Sequence, residues 1–200
     1  MVNNSTCRQA KVHRQTKETD ISLRLDLDGS GRWQLDTGVP FLDHMLSHVA
    51  AHALFDLEVT CRGDTQIDDH HSVEDIGICL GQALAQALGD KRGIVRYGSQ
   101  WVPMDEALVL VALDISGRPW LSCDLDISAD KVGTFDVELV PEFLRALAQH
   151  GGLTLHIQQA RGTNAHHIIE AVFKGLGRAL GQAVALDPRR SDVPSTKGTL

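Results

Sequence analysis

Two copies of one short motif lie 96 positions apart in this chain. The first is His70-His71-Ser72-Val73-Glu74 and the second is His166-His167-Ile168-Ile169-Glu170. Ten residues beyond the start of each copy, Leu80-Gly81-Gln82-Ala83-Leu84 matches Leu176-Gly177-Arg178-Ala179-Leu180 at four of five positions. A repeat at a fixed offset predicts an internal duplication, and two copies are too few for a solenoid. The chain is therefore expected to fold as two similar units related by a pseudo-twofold axis.

Alternating and helical spacings give the same order of elements in each half. Apolar residues alternate from Ile21 to Leu27, and turn residues 28–31 stand before Trp33 and Leu35, which predicts a β-hairpin. We therefore expect an α+β fold in which a ββαβα unit over residues 1–93 is repeated over 94–187, with the helices on one face of antiparallel-rich sheets and a C-terminal tail over 188–200. The other predicted elements are a helix over 41–53, a strand at 57–59, a helix from 70 to near 89, strands over 107–113 and 120–125, a helix over 141–149, a strand over 153–157 and a helix over 168–184.

Composition and charge exclude several function classes. The 200 residues carry a formal net charge of −7, and Lys and Arg are scattered along the chain, so no broad basic face is expected for nucleic acid. No apolar run approaches the ~20 residues that cross a bilayer, and residues 1–6 lack the apolar stretch of a signal peptide. The four cysteines show no CxxC spacing, which favours a reducing compartment. We expect a cytoplasmic protein without nucleic-acid or membrane partners.

The duplicated histidines have the spacing of a metal site. On a helix, Glu74 shares a face with His70 at i, i+4 and with His71 at i, i+3. Adjacent histidines diverge by about 100°, because a helical turn holds 3.6 residues, so two metal ions fit each pair better than one. A lone pair at a helix start is more often a surface feature or a cap. Two copies at matched positions of a diverged duplication favour metal ligation.

Further ligands are expected from the first helix of each unit. His44 precedes Met45-Leu46 and aligns with Glu142, which precedes Phe143-Leu144. Imidazole and carboxylate donors suit Mn, Fe, Co or Zn, and the cysteine positions exclude a thiolate site. His44, His48 and His52 would otherwise form a hydrated stripe along one helix face, and only His44 is favoured as a ligand by its place in the repeat.

Three segments together resemble one enzyme family. Residues 41–45 (FLDHM), 68–75 (DDHHSVED) and 162–174 (GTNAHHIIEAVFK) resemble the imidazoleglycerol-phosphate dehydratases of histidine biosynthesis, and the match extends from residues 14–19 to 195–198. The resemblance implies the ribosomal protein S5 domain 2-like fold and a hydro-lyase that uses Mn²⁺, two ions per active site. It also implies a large homo-oligomer, a 24-mer, with active sites at the subunit interfaces.

The resemblance also implies which residues of this sequence form the site. Glu18 is the implied acid/base at the substrate, with Glu170 and Lys174 as further catalytic residues. Without the resemblance, Glu18 and Lys174 would be solvated charges, Arg118 a turn residue, and the tail flexible. The implied metal ligands are His44, His70, His71, Glu74, Glu142, His166, His167 and Glu170. The implied substrate and phosphate contacts are Glu18, Arg96, Arg118, Lys174, Ser195 and Lys197, and the fork of Arg suits phosphate oxygens.

The implied reaction removes water from D-erythro-1-(imidazol-4-yl)glycerol 3-phosphate to give 3-(imidazol-4-yl)-2-oxopropyl phosphate. Metal ions on the substrate's imidazole would favour its imidazolate form. We hypothesise that this metal-bound imidazolate expels the hydroxyl beside the ring while Glu18 moves the protons. Two other classes use the same ligand types. A dinuclear metallohydrolase has little need of a phosphate clamp, and a metal-buffering oligomer needs neither Glu18 nor the arginines.

Overall fold

The computed structural model describes residues 8–200, so residues 1–6 and Cys7, which the signal-peptide and cysteine arguments use, lie outside the described part. The described chain forms ten strands and four helices. In chain order they are β1 (Gln9–Gln15), β2 (Thr19–Asp26), β3 (Trp33–Asp36), α1 (Pro40–Ala53), β4 (Asp56–Gly63), α2 (His70–Leu88), β5 (Tyr97–Met104), β6 (Ala107–Asp114), β7 (Trp120–Asp124), β8 (Lys131–Val132), β9 (Phe135–Asp136), α3 (Leu139–Gly151), β10 (Thr154–Arg161) and α4 (Ala165–Val184).

Two four-stranded sheets share one strand order. The first runs β1-β2-β4-β3 and the second β5-β6-β10-β7. In each sheet the first three strands of this order pair antiparallel with one another, whereas the edge strands β3 and β7 run parallel to β4 and β10. The ββαβα series is present in both halves, which confirms the predicted α+β fold class. The proposed boundary at residues 93/94 falls between α2 and β5.

The predicted hairpin between residues 21–27 and Trp33 and Leu35 is wrong. The strand that contains Trp33 and Leu35 is β3, which pairs in parallel with β4 and not with β2. The turn residues instead wrap around the start of β4, where Asp56 Oδ1 accepts the backbone N–H groups of Ser30 at 2.8 Å and Arg32 at 3.0 Å. The turn residues therefore bind Asp56 at the start of β4, which is distant in sequence, and do not close a local hairpin. β4 lies between β2 and β3 in the sheet.

Each half also begins with a strand that the spacing does not predict. β1 buries Ala10 and Val12 between polar neighbours, and β5 contains Gly98 and Pro103, which are depleted in strands. Gly98 is required because a Cβ there would lie 1.9 Å from the carbonyl oxygen of Ala179 on α4. β1 and β5 form the true hairpins, with β2 and β6 respectively. The short β8–β9 hairpin is likewise not predicted.

The four helices pack between the two sheets and bury one continuous core. α2 packs on α3, and α4 packs on α1. Gly77 and Gly81 on α2 face α3, and Gly177 on α4 faces α1, where an added Cβ would lie 2.7–2.8 Å from backbone atoms of the partner helix. The contacts follow the same order along both partners, so the paired helices are parallel. The N-termini of α2 and α4, which carry the histidine pairs, therefore lie beside those of α3 and α1.

None of the helices formed by residues 8–200 is both long enough and apolar enough to span a membrane.

Candidate active site

Both histidine pairs lie in the first turn of a helix. His70 is the first residue of α2, and His166 is the second of α4. Asn164 caps α4, because its side chain accepts the backbone N–H groups of His166 and His167. The ring planes within the pairs are 85° and 83° apart. The ring centroids within the pairs are 6.1 Å and 6.4 Å apart, and each ring of a pair has its own surroundings.

One cluster, the Glu170 cluster, is formed by His44, His48, His166, Glu170 and Lys174. The carboxylate of Glu170 is 6% exposed and lies between α4 and α1. Its Oε2 is 3.3 Å from His44 Nε2, 3.5 Å from His48 Nε2 and 3.1 Å from His166 Nε2. Its Oε1 accepts from Lys174 Nζ at 2.5 Å. Four predicted site residues therefore meet here, together with His48.

The charges in the Glu170 cluster favour an ionised carboxylate and neutral imidazole. Burial by itself would raise the pKa of Glu170, but the Lys174 hydrogen bond, the charge of His48 and the His166 hydrogen bond together lower it to about 2. Burial lowers the pKa of His48 to about 4, against the opposing charge of Glu170. An ionised carboxylate and an unprotonated imidazole are the forms that ligate metal ions.

The Glu170 cluster has the donor set of a metal site. One ligand atom each from His44, His48 and Glu170 lie within 4.8 Å of one another, and no other such group of three is found in residues 8–200. Two imidazoles and a carboxylate fit a divalent metal of the Mn–Zn series. The sequence does not single out His48, although its i, i+4 spacing from His44 is a signal that places both on one face of α1.

A second cluster, the His71 cluster, contains Glu18, Asp64, His70, His71 and Glu74. His71 Nδ1 lies 3.0 Å from Asp64 Oδ2, and its Nε2 lies 3.9 Å from Glu18 Oε1. This hydrogen bond to Asp64 raises the pKa of His71. His70 Nε2 lies 4.0 Å from Glu74 Oε2 at the expected i, i+4 spacing. Glu18 is thus brought to a predicted ligand from the β1–β2 turn, and Asp64 was not expected there.

His167 lies apart from His166 and faces the β5–β6 turn. Its Nδ1 is 2.7 Å from Glu106 Oε2, and its Nε2 is 3.7 Å from Asp105 Oδ2. The hydrogen bond from His167, followed by those from the backbone N–H groups of Asn164 and Thr163, lowers the pKa of Glu106 to about 2. The sequence does not single out Glu106, because no motif surrounds it. Its position immediately before β6 is the feature that could have indicated a role.

Glu142 lies in the first turn of α3 and forms an ion pair with Arg145 at 2.5 Å. The pKa of Arg145 is raised mainly by the hydrogen bond that it donates to Glu142, against the effect of desolvation. The charge of the nearby Glu74 makes a smaller contribution in the same direction. Because α3 and α2 are parallel neighbours, Glu142 lies at the same end of the helix pair as His70. Among the described residues, no hydrogen bond or ion pair joins Glu142 to a histidine.

The four predicted phosphate contacts share one cavity of about 620 Å³, lined by Arg96, Arg118, Ser195 and Lys197 among others. Arg96 is buried, pairs with Asp114 at 2.6 Å and 3.0 Å, and donates to the carbonyl of Pro194 at 2.8 Å. Arg118 is exposed. The tail is thus folded against Arg96, and the cavity is built jointly by the second sheet and residues 190–200.

A family model and similar relatives point to the same protein family. The model of the family described as imidazoleglycerol-phosphate dehydratase matches residues 37–180. The imidazoleglycerol-phosphate dehydratase of Moorella thermoacetica is 60% identical over 193 residues, which cover 96% of this chain and 98% of that protein. The enzyme of the same name from Dinoroseobacter shibae is 60% identical over 194 residues, which cover 96% of this chain and 100% of that protein.

Solved structures of the same family share the fold. The imidazoleglycerol-phosphate dehydratase of Staphylococcus aureus N315 has a TM-score of 0.82 and 44% identity, covering 90% of this chain and 99% of its own. The enzyme from Pyrococcus furiosus, solved in complex with (S)-C348, has a TM-score of 0.82 and 42% identity over 94% of this chain and 100% of its own. The chain therefore belongs to the imidazoleglycerol-phosphate dehydratases, hydro-lyases of histidine biosynthesis.

Proposed function

We propose that the protein dehydrates D-erythro-1-(imidazol-4-yl)glycerol 3-phosphate in a reaction that depends on bound Mn²⁺, with two ions per active site. The observation that carries the metal requirement is the Glu170 cluster, where His44, His48 and the ionised Glu170 direct ligand atoms to one place. The divergence of each histidine pair supports two ions, because His166 and His167 face different surroundings. The expected ligands also include His70, His71, Glu74 and Glu142.

The bound metal supplies positive charge that acidifies the substrate's imidazole. The protein's own residues then handle the protons and the charge. Glu18 gives a proton to the hydroxyl that leaves as water from the carbon beside the ring and then takes the proton from the carbon that becomes the ketone, which gives an enol. The enol becomes the ketone when its O–H proton is lost and the carbon beside the ring gains a proton, so the net change is the release of one water. Lys174, fixed by Glu170 at 2.5 Å, holds a positive charge at the same site. The exposure of the Glu18 side chain and its 3.9 Å distance from His71 support this role.

The phosphate end of the substrate binds in the cavity between Arg118 and the tail. Arg118 and Lys197 supply exposed positive charge, and Ser195 supplies a hydroxyl donor. Arg96 forms the floor of the cavity. Its guanidinium already donates to Asp114 and to the carbonyl of Pro194, and its remaining N–H groups can donate to the phosphate. This clamp separates the proposed dehydratase from a simple metallohydrolase or a metal buffer.

The proposed activity is tested by adding the substrate to protein that has first been stripped of metal and then supplied with Mn²⁺. We expect 3-(imidazol-4-yl)-2-oxopropyl phosphate to appear, followed by NMR, and the stripped protein to be inactive until Mn²⁺ is restored. Release of inorganic phosphate without the ketone would favour a metallohydrolase. Tight Mn²⁺ binding without turnover would favour a metal buffer, and full activity in chelator would contradict the metal requirement.

We further propose that the chain forms a 24-mer with active sites at subunit interfaces. The outer faces of the two sheets differ, although the sheets share one topology. The first presents Lys11, Arg24 and Glu58, whereas the second presents Trp101, which is 52% exposed, opposite Leu110. Tyr97 and Trp120 are also exposed on the second sheet. The Trp101–Leu110 pair is the kind of apolar surface that marks a protein interface, and a second copy of the chain is the occupant that the family implies.

Replacing Trp101 with Glu should break this assembly, because a charge would be buried in each apolar contact. Native mass spectrometry of the wild-type protein is expected to give 24 copies of the 21.8 kDa chain, and W101E should give smaller species with normal circular dichroism and at least tenfold lower activity. The matched control is E58Q on the outer face of the first sheet. Unchanged assembly of W101E would contradict the proposed interface.

The proposed compartment is the cytoplasm, where the cysteines Cys61, Cys79 and Cys123, which are free in this structure, would stay reduced.

A further inference from the structure

The turn before the second strand of each sheet carries a glutamate. β2 and β6 are both eight residues long, and Glu18 and Glu106 are the residues immediately before them. Each glutamate faces the second histidine of its own half. Glu18 Oε1 lies 3.9 Å from His71 Nε2, and Glu106 Oε2 lies 2.7 Å from His167 Nδ1. The two glutamates are therefore equivalent in the duplication, but they face opposite nitrogens of equivalent rings.

The difference arises at the residue that follows the strand next to each histidine helix. β4 and β10 are also both eight residues long, and they are followed by Asp64 and Gly162. Asp64 binds His71 Nδ1 at 3.0 Å, and its backbone N–H donates to the carbonyl of Glu18 at 3.1 Å. In the first half, Asp64 thus occupies the Nδ1 side of the ring, and Glu18 is left on the Nε2 side.

The second half has no room for a counterpart of Asp64. Gly162 has a φ of +127°, and a Cβ there would lie 2.9 Å from the side chains of both Ala107 and Ile168. Glu106 fills the missing role. Its Oε2 faces His167 Nδ1, while its Oε1 accepts the backbone N–H groups of Thr163 at 3.2 Å and Asn164 at 2.8 Å. Three hydrogen bonds fix this carboxylate, whereas the side chain of Glu18 accepts none from residues 8–200.

We propose that Glu106 and Asp64 are positioning residues that hold His167 and His71 with the proton on Nδ1, so that both Nε2 atoms are free to ligate metal. A carboxylate on the far nitrogen of a ligating histidine fixes its tautomer and its ring orientation. The two equivalent glutamates therefore have different roles. Glu106 holds His167, whereas Asp64 holds His71, so that Glu18 is available for proton transfer. On this proposal Glu18, and not Glu106, is the glutamate of each chain that takes part in proton transfer. The inference rests on the metal requirement in the proposed function.

The test compares Mn²⁺ binding in E106Q, D64N and the wild-type protein, measured by calorimetry on the metal-stripped full-length protein. In E106Q the amide oxygen can keep the two backbone N–H groups, which turns the NH₂ group toward His167 Nδ1. The ring is then forced to carry its proton on Nε2, where it blocks ligation. We expect Mn²⁺ affinity to fall by about 10- to 100-fold in both variants, and kcat to return within about threefold of wild type at saturating Mn²⁺.

Two further variants, E58Q and E106A, keep the outcomes separate. E58Q, on the outer face of the first sheet, removes a carboxylate outside the site and should leave Mn²⁺ affinity unchanged. E106A serves if E106Q fails to fold, and it should also weaken Mn²⁺ binding. Affinity within twofold of wild type in folded E106Q and D64N would overturn the inference, and so would a kcat of E106Q that stays low at saturating Mn²⁺. A wild-type protein that binds no Mn²⁺ would instead contradict the proposed function itself.

Discussion

Replacing Glu18 with Gln is expected to lower kcat by about 10²- to 10⁴-fold, the range that a positioned acid/base contributes. The amide keeps the size of the side chain but neither accepts nor returns a proton at neutral pH. Within residues 8–200 the hydrogen bonds of Glu18 are made by its backbone, and its carboxylate approaches His71 at 3.9 Å, so the fold and KM should change little. Steady-state kinetics at saturating substrate and Mn²⁺ measure the loss.

Mn²⁺ content separates this loss from damage to the metal site. E18Q should retain the Mn²⁺ affinity of the wild-type protein within about twofold, and added Mn²⁺ should not restore its kcat. K17Q is the matched control, because Lys17 precedes Glu18 in the same exposed turn and has no proposed role. Turnover of E18Q within a few-fold of wild type would show that another group moves the protons.

The contacts between residues one helical turn apart could be predicted from the sequence, because they depend only on helical spacing. His70 and Glu74, like His166, Glu170 and Lys174, are separated by single turns of α2 and α4, and the structure brings each set together. The same holds for the duplication, since sequence identity at a fixed offset survives without knowledge of the fold. Such contacts require only that the segment is a helix.

The remaining contacts depend on strand order and helix pairing, which spacing does not reveal. Asp64 and Glu106 reach their histidines from a loop after β4 and a turn before β6, and nothing in their neighbours marks them as site residues. His48 needed the parallel packing of α1 on α4 to meet Glu170. The predicted hairpin is wrong for the same reason, since strand order decides it. Asp56 of β4 accepts hydrogen bonds from turn residues that would otherwise close a hairpin.

The substitution Glu170→Gln should abolish metal binding in the Glu170 cluster and lower kcat/KM by about 10³-fold or more, a loss of roughly 4 kcal/mol of transition-state stabilisation. Among the carboxylates of residues 8–200, Glu170 is the one whose oxygen lies within 3.5 Å of His44, His48 and His166 at once. A neutral amide is a much weaker ligand for a hard divalent cation, and it leaves Lys174 facing imidazoles without a counter-charge. Mn²⁺ stoichiometry by calorimetry should fall while the His71 cluster keeps its ligands.

The free energy of unfolding gives an independent measure of the role of the Glu170 carboxylate. The Lys174 ammonium is largely buried, with 21% of its side chain exposed, and loss of its carboxylate partner should reduce the free energy of unfolding by about 1–3 kcal/mol. The double variant E170Q/K174M removes the unpaired ammonium, so urea denaturation of the metal-free protein should show most of that stability restored. Mn²⁺ binding should stay absent in the double variant, because its loss follows from the missing carboxylate and not from a weakened fold. If E170Q instead binds Mn²⁺ as tightly as the wild-type protein, the metal lies elsewhere and Glu170 serves only to hold Lys174.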